Sequence, residues 1–237
     1  MIVSSSFSVL AVLIINFSKV NGHPYQPTPT TDLREFNARK ELANAPPNCF
    51  PAIGFTMPQS VPSSLTNWWC DHSTEYAFVG FSYEVTACQS LSTLTKEFKD
   101  IRNTFNGRYV RIYSACDREG FYNDVINAAW SAGLGVHALI WTLKMQFGWD
   151  DPNIWKTRRD ALLGILHSNA KAKYVVRALQ FGSEPLYDYA LDAGTLAAQV
   201  TAAKANLSSL HIPVTISEMA YGYQEVAYLE FSKNLGS

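Results

Sequence analysis

Charge of either sign is scarce in this sequence, and neither sign prevails. Charged residues occupy 16% of the 237 positions, and 19 Lys and Arg against 20 Asp and Glu leave a formal net charge of -1. A surface without a basic stripe cannot neutralise a row of phosphates, which argues against nucleic acid and against an anionic membrane as partners. Glycine loops that cradle phosphates are missing too. Neither GxGxxG nor GxxxxGK[ST] occurs, so a dinucleotide or nucleotide enzyme loses its main support. The five histidines, His23, His72, His137, His167 and His211, form no HExxH and no close pair, and no metal or other cofactor is expected. There is no GxSxG elbow, and His137 within "GVHALIW" reads as an interior histidine, not a triad base. No apolar run is long enough to span a bilayer, so no stable membrane insertion is expected. Cysteine is limited to Cys49, Cys70, Cys88 and Cys116, whose separations of 21, 18 and 28 residues match no compact zinc signature.

What is present is a foldable chain, 47% hydrophobic, long enough for one sizeable core. Residues 1–22 read as a signal peptide: an apolar stretch from Phe7 to Ile15, then Val20 and Gly22 in the arrangement a signal peptidase accepts. Secretion is therefore expected, to the extracellular space or the cell wall. Four cysteines in a secreted chain read as two disulfides in any of three connectivities, with buried thiols as the alternative. Asn206-Leu-Ser has the form of a glycosylation acceptor inside a segment that reads as helix. Residues 23–75 hold most of the prolines and show no sustained period, so they read as an extension that wraps the body or leads into it. Trp68 and Trp69 beside Cys70 argue that at least its end is packed, the alternative being a surface aromatic pair that contacts a sugar.

Residues 76–237 turn regular. Strand-like segments "EYAFVGFSY", "RYVRIYS", "GVHALIW", "KYVVRALQFG" and "IPVTISEM" recur at intervals of 26 to 39 residues, with amphipathic helical segments between them. A weak last helix, "QEVAYLEFSKNL", follows. Each interval suits a right-handed βαβ unit, which predicts an α/β fold with a parallel sheet. Two closures compete: a doubly wound sheet of five strands, or a (β/α)8 TIM-type barrel cut short after about five units.

In either architecture chemistry gathers at the C-terminal ends of strands. Those exits carry aromatics and carboxylates: Tyr83, Tyr113, Trp141, Ser183 with Glu184, Tyr187 just beyond, and Glu218. An aromatic face with fixed polar groups suits a sugar ring, and cleaving a glycosidic bond needs two carboxyl groups. Glu184 is the candidate acid, because burial would keep it protonated. The competing reading is a glutamate paired with Arg111 or Arg177. Glu218 lies one strand away, near enough for a retaining pair by strand spacing, or for merely orienting a neighbour.

The motifs "GFSYE", "RYVRIYSACD", "GVHALIW" and "VVRALQFGSEPLYD" resemble the N-terminal part of fungal glycoside hydrolase family 17, the endo-β-1,3-glucanases and glucanosyltransferases. The resemblance covers about residues 76–220 and implies a retaining (β/α)8 barrel acting on cell-wall β-1,3-glucan. It places the acid/base on Glu184, with Ser183 where the family has asparagine, and it does not make Glu218 the nucleophile. From their strand-exit positions Tyr113, Trp141 and Tyr187 are expected at the substrate rim, with Tyr83 and Ser183 also binding substrate and Glu218 as a lesser polar participant. Relatives read Asp-Cys where this chain reads Cys116-Asp117. The strand-seven nucleophile has no counterpart, so very weak or no hydrolysis is expected. The alternatives are a non-catalytic carbohydrate-binding or cell-wall-associated protein, and a structural α/β protein. An open piece of barrel is also expected to leave an edge and an apolar interior unprotected.

Overall fold

Five parallel strands form one sheet in the computed structural model, which describes residues 48–71, 79–142 and 151–224. They are β1 (Gly80–Glu84), β2 (Tyr109–Tyr113), β3 (Gly135–Ile140), β4 (Val176–Ser183) and β5 (Val214–Ser217), side by side in chain order. Between them run α1 (Leu91–Asn103), α2 (Phe121–Ala132), α3 (Ile154–Ser168), the short α4 (Ala172–Val175) and α5 (Ala193–Leu207). A doubly wound sheet reverses its strand order at a switch point. This order never reverses, so right-handed crossovers leave all the helices on one face.

Local sequence explains most of these elements. Ser90 caps α1 by accepting a hydrogen bond from Thr93 N at 3.2 Å, and the helix buries Leu94 and Phe98. Gly133 ends α2 in the left-handed conformation that glycine adopts without strain. Asp192 caps α5 through Thr195 N. Alternation sends Val110 and Ile112 of β2 toward the helices, where they meet a core that also holds Phe98, Phe121, Leu162 and Phe181.

One element differs from the sequence expectation. Residues 172–175 form a helical turn where the run "KYVV" predicts the start of β4. Two contacts decide it: Asn169 Oδ1 accepts from Lys171 N at 2.9 Å, which opens the turn, and Tyr174 is held from both ends by the Pro-rich segment. Residues 75–78, expected to begin the first strand, and residues 225–235 of the expected last helix lie outside the described residues.

The described part of the Pro-rich extension, residues 48–71, packs against the N-terminal end of the sheet. Phe50 and Trp69 form a bridge, with Phe50 N donating to Trp68 O at 2.6 Å and Cys70 N to Phe50 O at 2.9 Å. Trp68 stacks on Trp130 of α2 with ring centroids 6.1 Å apart and meets Tyr174 edge-on at 5.2 Å. Its Nε1 donates to Tyr174 O at 2.7 Å, while Tyr174 Oη donates to Pro62 O at 2.5 Å. Buried Arg102, at the end of α1, donates to the carbonyls of Pro51, Ala52 and Gly107. All these partners sit just before strands, so the segment caps the pole opposite the strand exits.

Two disulfides fix the loops. Cys49–Cys70 closes the capping segment on itself, with Cα atoms 4.9 Å apart. Cys88–Cys116 joins the loop after β1 to the loop after β2 across 5.3 Å. Among the described residues no helix is long and apolar enough to cross a membrane.

Candidate functional site

The face of the sheet away from the helices is polar and aromatic, not apolar as expected for an open piece of barrel. Strand alternation puts Tyr109, Arg111 and Tyr113 of β2 on it. Tyr109 meets His137 of β3 edge-on at 5.2 Å, and Tyr113 meets Trp141 at 5.1 Å. Arg111 is the centre of this face. Its Nε donates to Gln180 Oε1 at 2.9 Å, and its Nη2 donates to Ser183 Oγ at 3.0 Å and Ser217 Oγ at 2.9 Å. A guanidinium taken out of bulk water needs such acceptors on every side, and strands β4 and β5 supply them.

Glu184 leaves β4 through a sharp turn. Gly182 has φ +86°, and a Cβ there would lie 2.8 Å from the Pro185 ring and 2.9 Å from Thr142 Oγ1, so only glycine fits. Glu184 itself has φ +51°, a left-handed conformation rare for a side chain of its size. It is held there by Glu184 N donating to Ser217 O at 2.6 Å and by Asp188 N donating to Glu184 O at 2.9 Å. Strain held by surrounding bonds clusters at functional sites. Partial burial pushes the Glu184 carboxyl above the usual range, the negative charges of Asp188 and Glu218 push it further, and Arg111 opposes them.

Glu218 has a different task. Its Oε2 accepts from Leu186 N at 2.7 Å and from Tyr187 N at 3.4 Å, and its Oε1 accepts from Met219 N at 2.9 Å. The carboxylate ties the β4 loop to the end of β5, which is the orienting role. Tyr187, exposed at that loop, meets Tyr221 edge-on at 5.8 Å.

A cleft of about 1310 Å³ opens along the free side of β1 and reaches Arg111, Tyr113, Ser183, Glu184 and Ser217. Ser82 Oγ faces it, buried and without a hydrogen-bond partner. The structure thus brings Tyr113, Trp141, Ser183 and Glu184 together, with Glu218 and Tyr187 on the adjoining rim. Tyr83 lies apart from them. It packs on Phe98 of α1, its Oη donates to Glu97 Oε2, and burial followed by that bond raises its pKa. Tyr83 lines the far end of the cleft on the helix side of β1. Asp117 belongs to the scaffold, bound through both oxygens to Arg158 of α3 at 2.7 and 2.6 Å.

Arg111 is anticipated in the sequence only as a candidate partner of Glu184; its place at the centre of a network with Gln180 and Ser217 is what sequence reasoning missed. The available signal was an arginine inside an alternating strand, which demands polar partners on other strands. Among the described residues, no group of three His, Cys, Asp or Glu side chains is placed to hold a metal ion.

Fold and covalent ties together define an α/β protein with a five-stranded, all-parallel sheet and two disulfides. No family model, curated protein or solved structure matches the chain.

Proposed function

We propose that this chain is a secreted protein of the glycoside hydrolase family 17 kind, a partial (β/α)8 barrel whose cleft takes β-1,3-glucan and whose general acid/base is Glu184. The observation that carries this reading is the setting of Glu184: a strained strand exit, a carboxyl with its pKa raised, and an open cleft lined by Tyr113, whose ring packs on Trp141. A raised pKa lets the carboxyl hold its proton to higher pH, and in that form it can donate to the glycosidic oxygen and later take a proton back. The exposed Tyr113 ring offers an apolar surface to one face of a sugar, and the buried hydroxyl of Ser82 offers a partner to its hydroxyls.

Curvature of the sheet supports the barrel reading. Neighbouring strands lie about 4.8 Å apart, yet Arg111 of β2 bonds to side chains of β4 and β5. Side chains from alternate strands meet in layers inside a barrel. At the position where the family resemblance places asparagine, Ser183 Oγ accepts from Arg111 and retains its own proton to donate. Two disulfides and the expected leader support secretion.

A second reading is favoured by Glu218. Both of its oxygens already hold backbone N–H groups of the rim, so the site lacks a free second carboxylate at that strand exit. A retaining pathway needs a second carboxylate as nucleophile, and Glu218 is occupied in holding the rim. On this reading the cleft binds glucan without turning it over. Incubating the full chain with laminari-oligosaccharides, while following binding and products, separates the two. Cleavage lost in Glu184→Gln with binding retained supports the enzyme. Binding without cleavage in the wild type supports the binding protein, and absence of both refutes the glucan assignment.

A further inference from the structure

We propose that Asn206 carries an N-linked glycan, a modification independent of what the cleft binds. The acceptor sequence is Asn206-Leu207-Ser208, with no proline in the middle position. Asn206 stands in the last turn of α5 and Ser208 opens the following 3-10 turn, both exposed. His167 Nε2 of α3 lies 2.9 Å from Asn206 Oδ1. The carbonyl oxygen of the amide is thereby engaged, in a residue that is itself exposed.

The chemistry closes on that arrangement. Asn206 Nδ2 attacks C1 of the reducing-end sugar of a lipid-linked oligosaccharide diphosphate. The N–C1 bond forms, the C1–O bond to the diphosphate breaks, the lipid diphosphate leaves with the electron pair, and Nδ2 gives up one proton. Oδ1 remains a carbonyl oxygen throughout, so the modified chain can still form the contact with His167 Nε2 when it folds.

Two features of the fold make the site suitable. Two disulfides indicate an oxidising compartment, where such donors are used. The C-terminal end of α5 also lies at the pole where β5 begins, a helix length of about 22 Å from the β4–α5 loop that bounds the site. A bulky glycan there leaves the cleft open. Leu207, between acceptor and hydroxyl, is fully buried. The sequon cannot extend into an enzyme's groove once α5 has docked, so transfer must precede folding of this helix.

The test is expression of the full chain in a eukaryotic secretory host, with intact mass and peptide mapping before and after a peptide N-glycosidase. The expected result is a loss of mass on treatment, with Asn206 converted to aspartate in its peptide. Asn206→Gln and Ser208→Ala should both have the mass of the treated wild type, apart from the substitution, while Ser208→Thr keeps the glycan. The chain's other acceptor, Asn16-Phe17-Ser18, falls within the expected leader, so peptide mapping distinguishes the two. A secreted wild type of bare polypeptide mass, a shift that persists in Asn206→Gln, or retention of the chain outside the secretory route would each overturn the proposal.

Discussion

Trp68→Ala is the sharpest test of how the chain seals the N-terminal pole of its sheet. The indole is 7% exposed, stacks on Trp130 and Phe50, and donates to Tyr174 O at 2.7 Å. Truncating a buried tryptophan costs about 3 to 5 kcal/mol in lost transfer energy and residual cavity. Roughly 4 kcal/mol is a large part of a total stability of about 5 to 15 kcal/mol. With a urea slope of about 2 kcal/mol/M the unfolding midpoint should fall by about 2 M. Trp68→Phe keeps most of the ring contact but removes the donor, leaving the Tyr174 carbonyl short of a partner, for about 1 to 2 kcal/mol. Urea unfolding followed by far-ultraviolet circular dichroism reads both without relying on tryptophan emission. A loss below about 0.5 kcal/mol for Trp68→Ala, the size of an ordinary surface change, would mean that residues 48–71 are a detachable lead-in.

The same segment is closed by a disulfide spanning 21 residues, and replacing Cys49 and Cys70 together by serine should cost about 3 kcal/mol of unfolding free energy; unchanged stability in denaturant would refute that. Glu184 has a folded pKa raised above its unfolded value, so its contribution to stability is fully present below roughly pH 4.3 and is lost as pH rises through the folded value. Glu184→Gln, which cannot ionise, should therefore gain on the wild type as pH rises across that window; a difference independent of pH would contradict the assigned shift. Arg111→Met removes the one charge that opposes the rise, so the Glu184 carboxyl should titrate higher still in carbon-detected NMR. A fall in its pKa would show that Arg111 does not act on that carboxyl.

The elements legible in the sequence are those whose cause is local. Val110 and Ile112 alternate with Arg111 and Tyr113, Ser90 announces α1, and Gly133 ends α2. Contacts across long separations were not legible. The turn at Tyr174 is set by Trp68, 106 residues earlier, and overrides the β-forming run around it. Arg111 finds its acceptors 69, 72 and 106 residues downstream, so nothing near it in the chain reveals the network. For Glu218 the sequence leaves a retaining partner of Glu184 and a mere orienting role both open, and the second holds because the loop after β4 folds back to put two N–H groups on it. The disulfide pairing, three-fold ambiguous in sequence, is settled by which Cα atoms the fold brings within about 5 Å.

The claim that the cleft beside Glu184 takes a β-1,3-glucan is met most directly by titration calorimetry of laminari-oligosaccharides into the wild type and Tyr113→Ala. Tyr113 is exposed in the cleft, and an aromatic contact of about 0.5 to 1.5 kcal/mol corresponds to a loss of about 2- to 13-fold in affinity. Saturable binding to the wild type, weakened by that factor in the variant, is the predicted result. No saturable heat with the wild type, or an affinity untouched by removal of Tyr113, would contradict it.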